Sequence, residues 1–390
     1  MAKKSSATLP SALFNRALST VTRAASNKVT PVYEMVNISV SDGKMTAHCF
    51  NGTMGMSAEF PVEAAGDINA FVSASALSSL VGSMRGAVTV TAEGRKGLKV
   101  ESGSVSVSLK GNASAELPEL EQGKSRVVCQ LTGDDLGSLL KVASCASSDP
   151  MLIYSSVLFD VSSDGISSWA TDSFRAATVQ IARGGEPTRL LLPSAFVSWI
   201  RTISSKAAVT IKEAKNRLVV TAVDDNVTFT MATPQGEAQK FPSLSQIFEQ
   251  VFGLDGVRFS LDASVLGMAA KQIKSLGGET VAIYTDGNNL CLRAKTDTAG
   301  YSNIIGTVDG DVKIFLSPIF LADGIALFDT PNFLFSATKS PLAVQEGDLR
   351  ILFMPKNVVE ADEPTTVEEE TPAMDAQAVP VEVEQEAVPA

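Results

Sequence analysis

The sequence is poor in the residues on which most metal centres and catalytic triads depend. Its 390 residues include one histidine, His48, and four cysteines. A single histidine excludes most His-based metal sites and Ser-His-Asp chemistry. The cysteines are scattered and form no C-x-x-C pair, so we interpret them as buried thiols in a reducing compartment.

Long hydrophobic runs are also missing. No segment approaches 18 uncharged apolar residues, which excludes a helical membrane span. Residues 1–33 contain no acid and no apolar signal-peptide core. They are therefore either a transit-peptide-like leader or the start of the folded chain. Apolar residues at helical spacing from Leu13 to Val21 favour the second interpretation, a helix.

Motifs for nucleotide chemistry are absent too. The sequence has no G-x-x-x-x-G-K-[ST] and no G-x-G-x-x-G after a strand. Neighbouring carboxylates such as Asp224 and Asp225 fall in predicted turns or helix starts. We therefore expect no enzyme activity, no catalytic residues, no metal site and no cofactor.

The net charge of −11 is concentrated at one end. Ten of the 43 acidic residues lie in residues 358–390, which contain no Lys or Arg, so residues 1–357 carry 33 acids and 32 bases. The tail is rich in Pro, Glu, Ala and Val, a composition that cannot bury enough surface to fold alone. We expect a disordered acidic tail, which is either inert, a shield for a neighbouring site, or a recruiter of basic partners.

An internal repeat organises the rest of the chain. Three hairpin signals, Ser41-Asp42-Gly43, Ser163-Asp164-Gly165 and Thr285-Asp286-Gly287, place their glycines 122 residues apart both times. Each lies between alternating apolar runs, as in a hairpin with an Asp-Gly turn. Equal spacing of such units predicts three repeated domains.

Helices flank each predicted hairpin. One amphipathic helix precedes it, a second follows about thirty residues later with Ser or Pro at its start, and further strands come next. The predicted helices are Pro10–Asn27, Ser73–Met84, Asp134–Ser147, Pro193–Ser204, Asp262–Leu276 and Ser317–Phe328. The predicted strand regions are Ala87–Leu109, Ala207–Thr230 and Asn332–Phe353.

These helices are mildly basic. They are either ordinary solvated faces or one shared surface that faces phosphates. The second interpretation predicts sequence-independent electrostatic contact with DNA. Its candidate residues are Arg16, Arg23, Lys28, Arg85, Lys141, Arg201, Lys206, Lys271 and Lys274.

Several local motifs, in order, resemble one family. Thr30-Pro31-Val32, the run Trp169-Ala170-Thr171-Asp172-Ser173-Phe174-Arg175-Ala176, Lys240-Phe241-Pro242 and Arg350-Ile351-Leu352-Phe353-Met354-Pro355 are similar to segments of the bacterial DNA polymerase III beta subunit, the sliding clamp. The resemblance covers residues 8–357. It implies an α+β fold of three helix–hairpin–helix–strand domains of the DNA-clamp type. Two chains would join head to tail in a ring.

The resemblance also implies domain limits and a function. They are an N-terminal extension at 1–7, clamp domains at 8–126, 127–252 and 253–357, and the tail at 358–390. The ring would encircle double-stranded DNA without sequence preference and confer processivity on a replicative polymerase, in the cytoplasm at the nucleoid. Its other partners would be a clamp loader and proteins with clamp-binding motifs, without a membrane.

A pocket between the second and third domains is implied for partner peptides. Carried over by motif, it comprises Thr171, Ser173, Arg175, Ala176, Pro242, Ile247, Leu352 and Met354. The apolar members would hold Leu and Phe side chains, and Thr171 and Arg175 would form a polar rim. From the residues alone, Ile247, Leu352 and Met354 could equally be plain core. Ser173-Phe174 stands where the family has Gly-His, which changes the shape of the pocket.

The resemblance is not complete, and a second interpretation stays open. The family usually ends soon after its Met-Pro strand, whereas this chain continues into the tail. A three-domain β-rich structural or interaction module that does not encircle DNA would share the repeats. It would lack basic helix faces. For a ring, we expect closure through an edge strand at Val105–Leu109.

Overall fold

A computed structural model describes residues 5–25, 30–94, 97–112, 115–121, 123–296 and 299–358. Across these ranges the same order of elements occurs three times, which confirms the predicted repeat. Each repeat has a strand, a helix, a run of strands, a second helix and three more strands.

The first repeat contains two helices and nine strands. The elements are β1 (Ser6–Pro10), α1 (Ser11–Val21), β2 (Met35–Ser41), β3 (Lys44–Phe50), β4 (Gly55–Pro61), β5 (Glu63–Ala65), β6 (Ile68–Ser73), α2 (Ala74–Ser83), β7 (Ala87–Ala92), β8 (Gly97–Ser102) and β9 (Val105–Lys110).

The second repeat has two shorter helices, and a third helix follows it. The elements are β10 (Ser125–Thr132), α3 (Gly133–Leu139), β11 (Ser156–Val161), β12 (Ile166–Thr171), β13 (Arg175–Ile181), β14 (Thr188–Pro193), α4 (Ser194–Ile200), β15 (Ala208–Ala214), β16 (Arg217–Asp224), β17 (Val227–Pro234) and α5 (Ser245–Phe252).

The third repeat completes the described chain. The elements are β18 (Val257–Ser260), α6 (Ala263–Ser275), β19 (Val281–Asp286), β20 (Asn289–Lys295), β21 (Gly300–Thr307), β22 (Lys313–Leu316), α7 (Pro318–Ile325), β23 (Asn332–Phe335), β24 (Leu342–Glu346) and β25 (Leu349–Phe353).

Two of the four sheets run across the borders between repeats. Strand β17, the last of the second repeat, pairs with β4 of the first, and β25, the last of the third, pairs with β13 of the second. Each junction joins two four-stranded halves into one eight-stranded sheet. The remaining sheets have the orders β5-β1-β7-β8-β9 and β21-β20-β19-β22, so β9 and β21 are edge strands.

All three predicted hairpins form, but their turns differ. Asp42 and Gly43 both have positive φ, 50° and 72°, and Ser41 pairs with Lys44, as in the two-residue turn that suits Asp-Gly. In the third hairpin Asp286 pairs with Asn289, so Gly287 and Asn288 form the turn. The second has a four-residue loop between Val161 and Ile166.

The predicted helices exist but are shorter than predicted. The differences are smallest, one residue at each end, for α2, which begins where the Ser73 hydroxyl accepts a bond from Ala76 N, and for α6, which begins after Asp262. The largest difference is at residues 134–147, where α3 gives way to a 3₁₀ helix, Leu140–Cys145. Arginine side chains from elsewhere bond the carbonyl groups of Leu140 and Ser144, which takes these acceptors out of a continuous helix.

Two predicted domain limits cut through strands. The limit at 7/8 divides β1, because Ser6 and Ala7 already pair with Thr91 and Val90 of β7. The limit at 126/127 divides β10, which begins at Ser125. The limit at 252/253 coincides with the end of α5.

The core lies between the helices and the inner faces of the sheets. One large cluster of buried apolar side chains continues through all three repeats. Three smaller clusters lie on the outer faces, where the connecting segments cross the sheets. The sheets are therefore covered on both faces at the borders between repeats.

Candidate functional site

The predicted basic residues lie on or next to the helices. Among the described ones, Arg23, Arg85, Lys141, Arg201, Lys206, Lys271 and Lys274 are exposed and Arg16 is half-buried. Lys28 lies outside the described residues. The helix α1 approaches the end of α4, since Arg16 and Thr20 line one cavity with Thr202 and Ser204. Lys271 and Lys274 of α6, and Lys141 and Lys206 after α3 and α4, are exposed cations on or next to these helices.

The side chain of Arg16 forms ion pairs within the chain. Its guanidinium contacts the carboxylate of Asp224, whose side chain is 13% exposed, and that of Asp225 at 3.8 Å. Both acids belong to the β16–β17 turn, so the pair joins the first repeat to the second. We expect Arg16 to contribute less to phosphate attraction than the lysines.

Two further arginines bond to backbone at helix ends. Arg201 donates to Leu140 O at 3.0 Å, and Arg85 donates to Gly82 O at 3.3 Å and Met84 O at 3.1 Å. Cations at these carbonyl ends interact favourably with the helix dipole. Both arginines are therefore exposed, but their guanidinium groups also form hydrogen bonds to backbone carbonyl groups.

The second candidate surface surrounds the β12–β13 turn. Here Ser173 has φ 76°, and one oxygen of Asp172 accepts bonds from Phe174 N and Arg175 N, both at 2.9 Å. The hydroxyl of Thr171 donates to Arg175 O at 2.7 Å and accepts from Ser173 N at 3.1 Å. The turn is therefore held in one shape by short polar side chains.

Arg175 is a buried connector between the second and third repeats. Its guanidinium donates to Asp172 Oδ2 at 2.9 Å, to Ser144 O at 2.7 Å and to Phe320 O of α7 at 3.0 Å. Its side chain is 6% exposed. Thr171 is likewise buried. The predicted polar rim is therefore wrong for these two residues, because all their polar groups face inward.

The apolar residues of the predicted pocket lie together but differ in exposure. Leu352 is buried beneath Phe248 and Val251 of α5, which makes it core. Ala176 and Ile247 are half-buried at the border of the same cluster. Pro242 is half-buried, Ser173 is exposed and Met354 is 40% exposed.

An aromatic pair at this surface was not predicted. Phe174, 58% exposed, stacks on Phe320 with 5.3 Å between ring centroids, and Arg175 lies 5.2 Å from the same Phe320 ring. Met354 N donates to Phe174 O at 2.9 Å. Phe174 and Met354 therefore form an exposed apolar surface at this turn.

The helix α5 was also missed. Ile247, Phe248, Val251 and Phe252 recur at helical spacing, which is a signal for a helix. In this segment only Ile247 is singled out from the sequence, as a pocket residue. It packs its apolar face over the outer side of the sheet, where Trp169 and Phe248 contact edge to face at 5.4 Å.

Burial shifts the pKa of three described side chains away from the ordinary range. Burial raises the pKa of Cys129 to about 12 and that of Cys145 to about 11, and it lowers the pKa of His48 to about 4. Thiols with raised pKa values are unreactive at neutral pH. Within the described ranges, no three His, Cys, Asp or Glu side chains are grouped to hold a metal ion. No helix there is both long and apolar enough to cross a membrane.

The edge strands β9 and β21 form the third surface of interest. Val105 of β9 is 47% exposed and Ile304 of β21 is 61% exposed. β9 belongs to a sheet built only from the first repeat, and β21 belongs to a sheet built only from the third. Exposed apolar side chains on an unpaired edge are typical of a surface that pairs with another chain.

Comparison with solved structures gives a consistent result. The structure of DNA polymerase III beta subunit from Thermotoga maritima matches with a TM-score of 0.81 at 17% identity, over 91% of this chain and 100% of that one. The DNA polymerase sliding clamp from Bacillus subtilis matches with a TM-score of 0.80 at 15% identity, over 92% and 100%. A Pseudomonas aeruginosa sliding clamp bound to griselimycin matches with a TM-score of 0.80 at 18% identity, over 91% and 100%.

Sequence comparison finds no such match. No family model and no curated protein matches this chain. The low identities agree with the departures seen in the motifs, such as Ser173-Phe174. The chain therefore has the α+β fold of the DNA polymerase III beta subunit sliding clamps, with a strongly diverged sequence.

Proposed function

We propose that this protein is a sliding clamp, a non-catalytic ring that encircles double-stranded DNA and confers processivity on a replicative polymerase. The main support is the clamp fold, which spans 91% of this chain and the whole length of the matched structures. Exposed Lys and Arg on the helices support weak, sequence-independent attraction to phosphates. A ring needs no tighter contact, because its link to DNA is topological.

The repeat itself supports ring closure by two copies. The last strand of the second repeat pairs with β4, and the last strand of the third pairs with β13, the equivalent position one repeat earlier. The last strand of the first repeat, β9, and the strand equivalent to β4 in the third, β21, remain as edges. We infer that β9 of one copy pairs with β21 of another. Two such contacts would close a head-to-tail homodimer.

The surface at the β12–β13 turn is our candidate for partner peptides. Phe174, Met354, Ile247 and Pro242 would contact the apolar side chains of a clamp-binding motif from the polymerase, the clamp loader or another partner. Thr171 and Arg175 would act indirectly by holding the turn. The protein would work in the cytoplasm at the nucleoid, without a membrane.

The first test is the native mass in solution by light scattering. Because one chain has a mass of 40.9 kDa, a two-chain ring would give about 82 kDa. The second is retention on nicked circular plasmid, after incubation at high protein concentration to allow rings to close on the DNA. A threaded ring should stay on the circle and be released when the plasmid is cut.

Each of these two experiments has an outcome that would contradict the proposal. A chain that stays monomeric from micromolar to millimolar concentration would contradict the closed ring. A protein that binds circular and linear DNA equally, or binds neither, would favour the interaction module that does not encircle DNA.

A further inference from the structure

The chain that follows the last strand of a repeat returns across the outer face of that repeat. In the first repeat, Gly111 pairs with Val72 of β6, and Asn112 N donates to Phe71 O at 3.0 Å. Beyond it, Ala115 and Leu117 line a surface cavity together with Phe71. The returning segment therefore starts on the edge strand β6 and continues over the sheet.

The second repeat shows the same return, with tighter packing. After β17, the buried side chains of Ala238 and Phe241 pack on Leu158 of β11 and Leu191 of β14. Strand β14 occupies the place in its sheet that β6 has in the first repeat, at the edge beside the first strand of the hairpin. In both repeats, residues four to seven positions after the last strand therefore lie on this outer face, and in the second repeat they bury it.

The equivalent face of the third repeat is a cavity of about 440 Å³. The cavity is deep because the small side chain of Ala282 on β19 lies between those of Arg293 on β20 and Phe315 on β22. Arg293 and Lys313 bring two positive charges to the lining, and Asp311 brings one negative charge. Phe315 and Tyr284 make it partly apolar, with Arg293 lying 4.7 Å from the Tyr284 ring.

The chain after β25 already begins the same return. Lys356 N donates to Phe315 O at 2.8 Å, as Asn112 N does to Phe71 O. Its ammonium group donates to Glu279 O at 2.8 Å. Since alternate residues of an edge strand face the same side, the backbone of Lys313 also faces this edge. The backbone bond at Phe315 therefore directs the chain along β22 towards the cavity.

We propose that the segment Val358–Glu363 of this same chain binds in this cavity as the third returning segment. Four to seven residues after Phe353 is the stretch 357–360, which supplies two valines and then Glu360. The valines suit the apolar wall at Phe315. The acids Glu360, Asp362 and Glu363 complement Arg293 and Lys313. The start of the acidic tail is thus a covering strap for the third repeat.

This inference does not depend on the proposed clamp function. It rests on the internal repeat, on the bond between Lys356 and Phe315, and on the charges of the cavity. A protein that failed to encircle DNA could still bind its own tail here.

The test is hydrogen exchange of β22 in the full chain, measured by mass spectrometry on a peptide that contains Lys313–Leu316. The disrupting variant is Val359→Asp/Glu360→Lys. The matched control is Val383→Asp/Glu384→Lys, which makes the same two changes in the distal tail. Loss of a few backbone bonds should make β22 exchange roughly tenfold faster in the first variant only.

Three results would overturn the proposal. Unchanged β22 exchange in both variants would mean that the segment does not cover this edge. Equal acceleration in both would mean a general charge effect of the tail. Protection that disappears on dilution of the wild-type protein would assign the cavity to a second copy.

Discussion

Ile304 gives the sharpest test of ring closure, because it is the most exposed apolar side chain on the edge strand β21. Complete burial of an isoleucine side chain contributes about 1.5–3 kcal/mol. With 61% of Ile304 exposed in the single chain, its burial at an interface would contribute about 1–2 kcal/mol. A ring has two identical contacts, so Ile304→Ala should cost about 2–4 kcal/mol of dimer stability. The dimer dissociation constant should rise roughly 30- to 700-fold.

Sedimentation velocity over a dilution series would measure this change. Val223→Ala is the matched control, since Val223 is 45% exposed but lies at the end of β16, inside a complete sheet. It should leave the dissociation constant unchanged. A dimer that is equally stable with Ile304→Ala would refute the β9–β21 contact, even if the native mass is that of two chains.

Three further predictions concern stability and DNA. The half-buried imidazole of His48 has a pKa of about 4 instead of 6.5, so the unfolded chain binds this proton more readily. Stability should fall by about 2 kcal/mol between pH 7 and pH 5 in urea unfolding, and His48→Gln should remove that part of the fall. Arg175→Met leaves the buried Asp172 carboxylate unpaired and should cost about 3–5 kcal/mol of unfolding free energy; a loss below about 1 kcal/mol would contradict the connector role. Lys271→Ala/Lys274→Ala should lower the salt slope of duplex binding, measured by fluorescence anisotropy, by up to about 2, and an unchanged slope would remove α6 from the DNA-facing surface.

Local signals predicted the framework well. The three hairpins, the alternating strands and the helix starts at Ser73 and Asp262 are decided by neighbouring residues, and all of them appear in the structure, although only the first hairpin turns at Asp-Gly. The resemblance to sliding clamps then supplied the arrangement of the repeats. The pairing of β17 with β4 could not be derived from either strand alone, since both have ordinary alternating patterns.

Contacts between distant segments explain what was missed. Arg175 was predicted at a polar rim, but its partners are backbone oxygens of Ser144 and Phe320, which no side-chain pattern indicates. Helix α5 depends on the apolar sheet surface beneath it. The Phe174–Phe320 stack joins residues 146 positions apart, and its formation depends on the junction between the second and third repeats.

The strands that cross from one repeat to the next also decide how this chain can be divided. Removing the third repeat would strip β25 from β13 and leave a long bare edge, which invites aggregation. It would also leave Arg175 without its acceptor on α7. We therefore expect fragments that end between repeats to be insoluble when expressed alone. The three repeats should unfold together in one transition, and the borders between them should be stiff because a continuous sheet crosses each one.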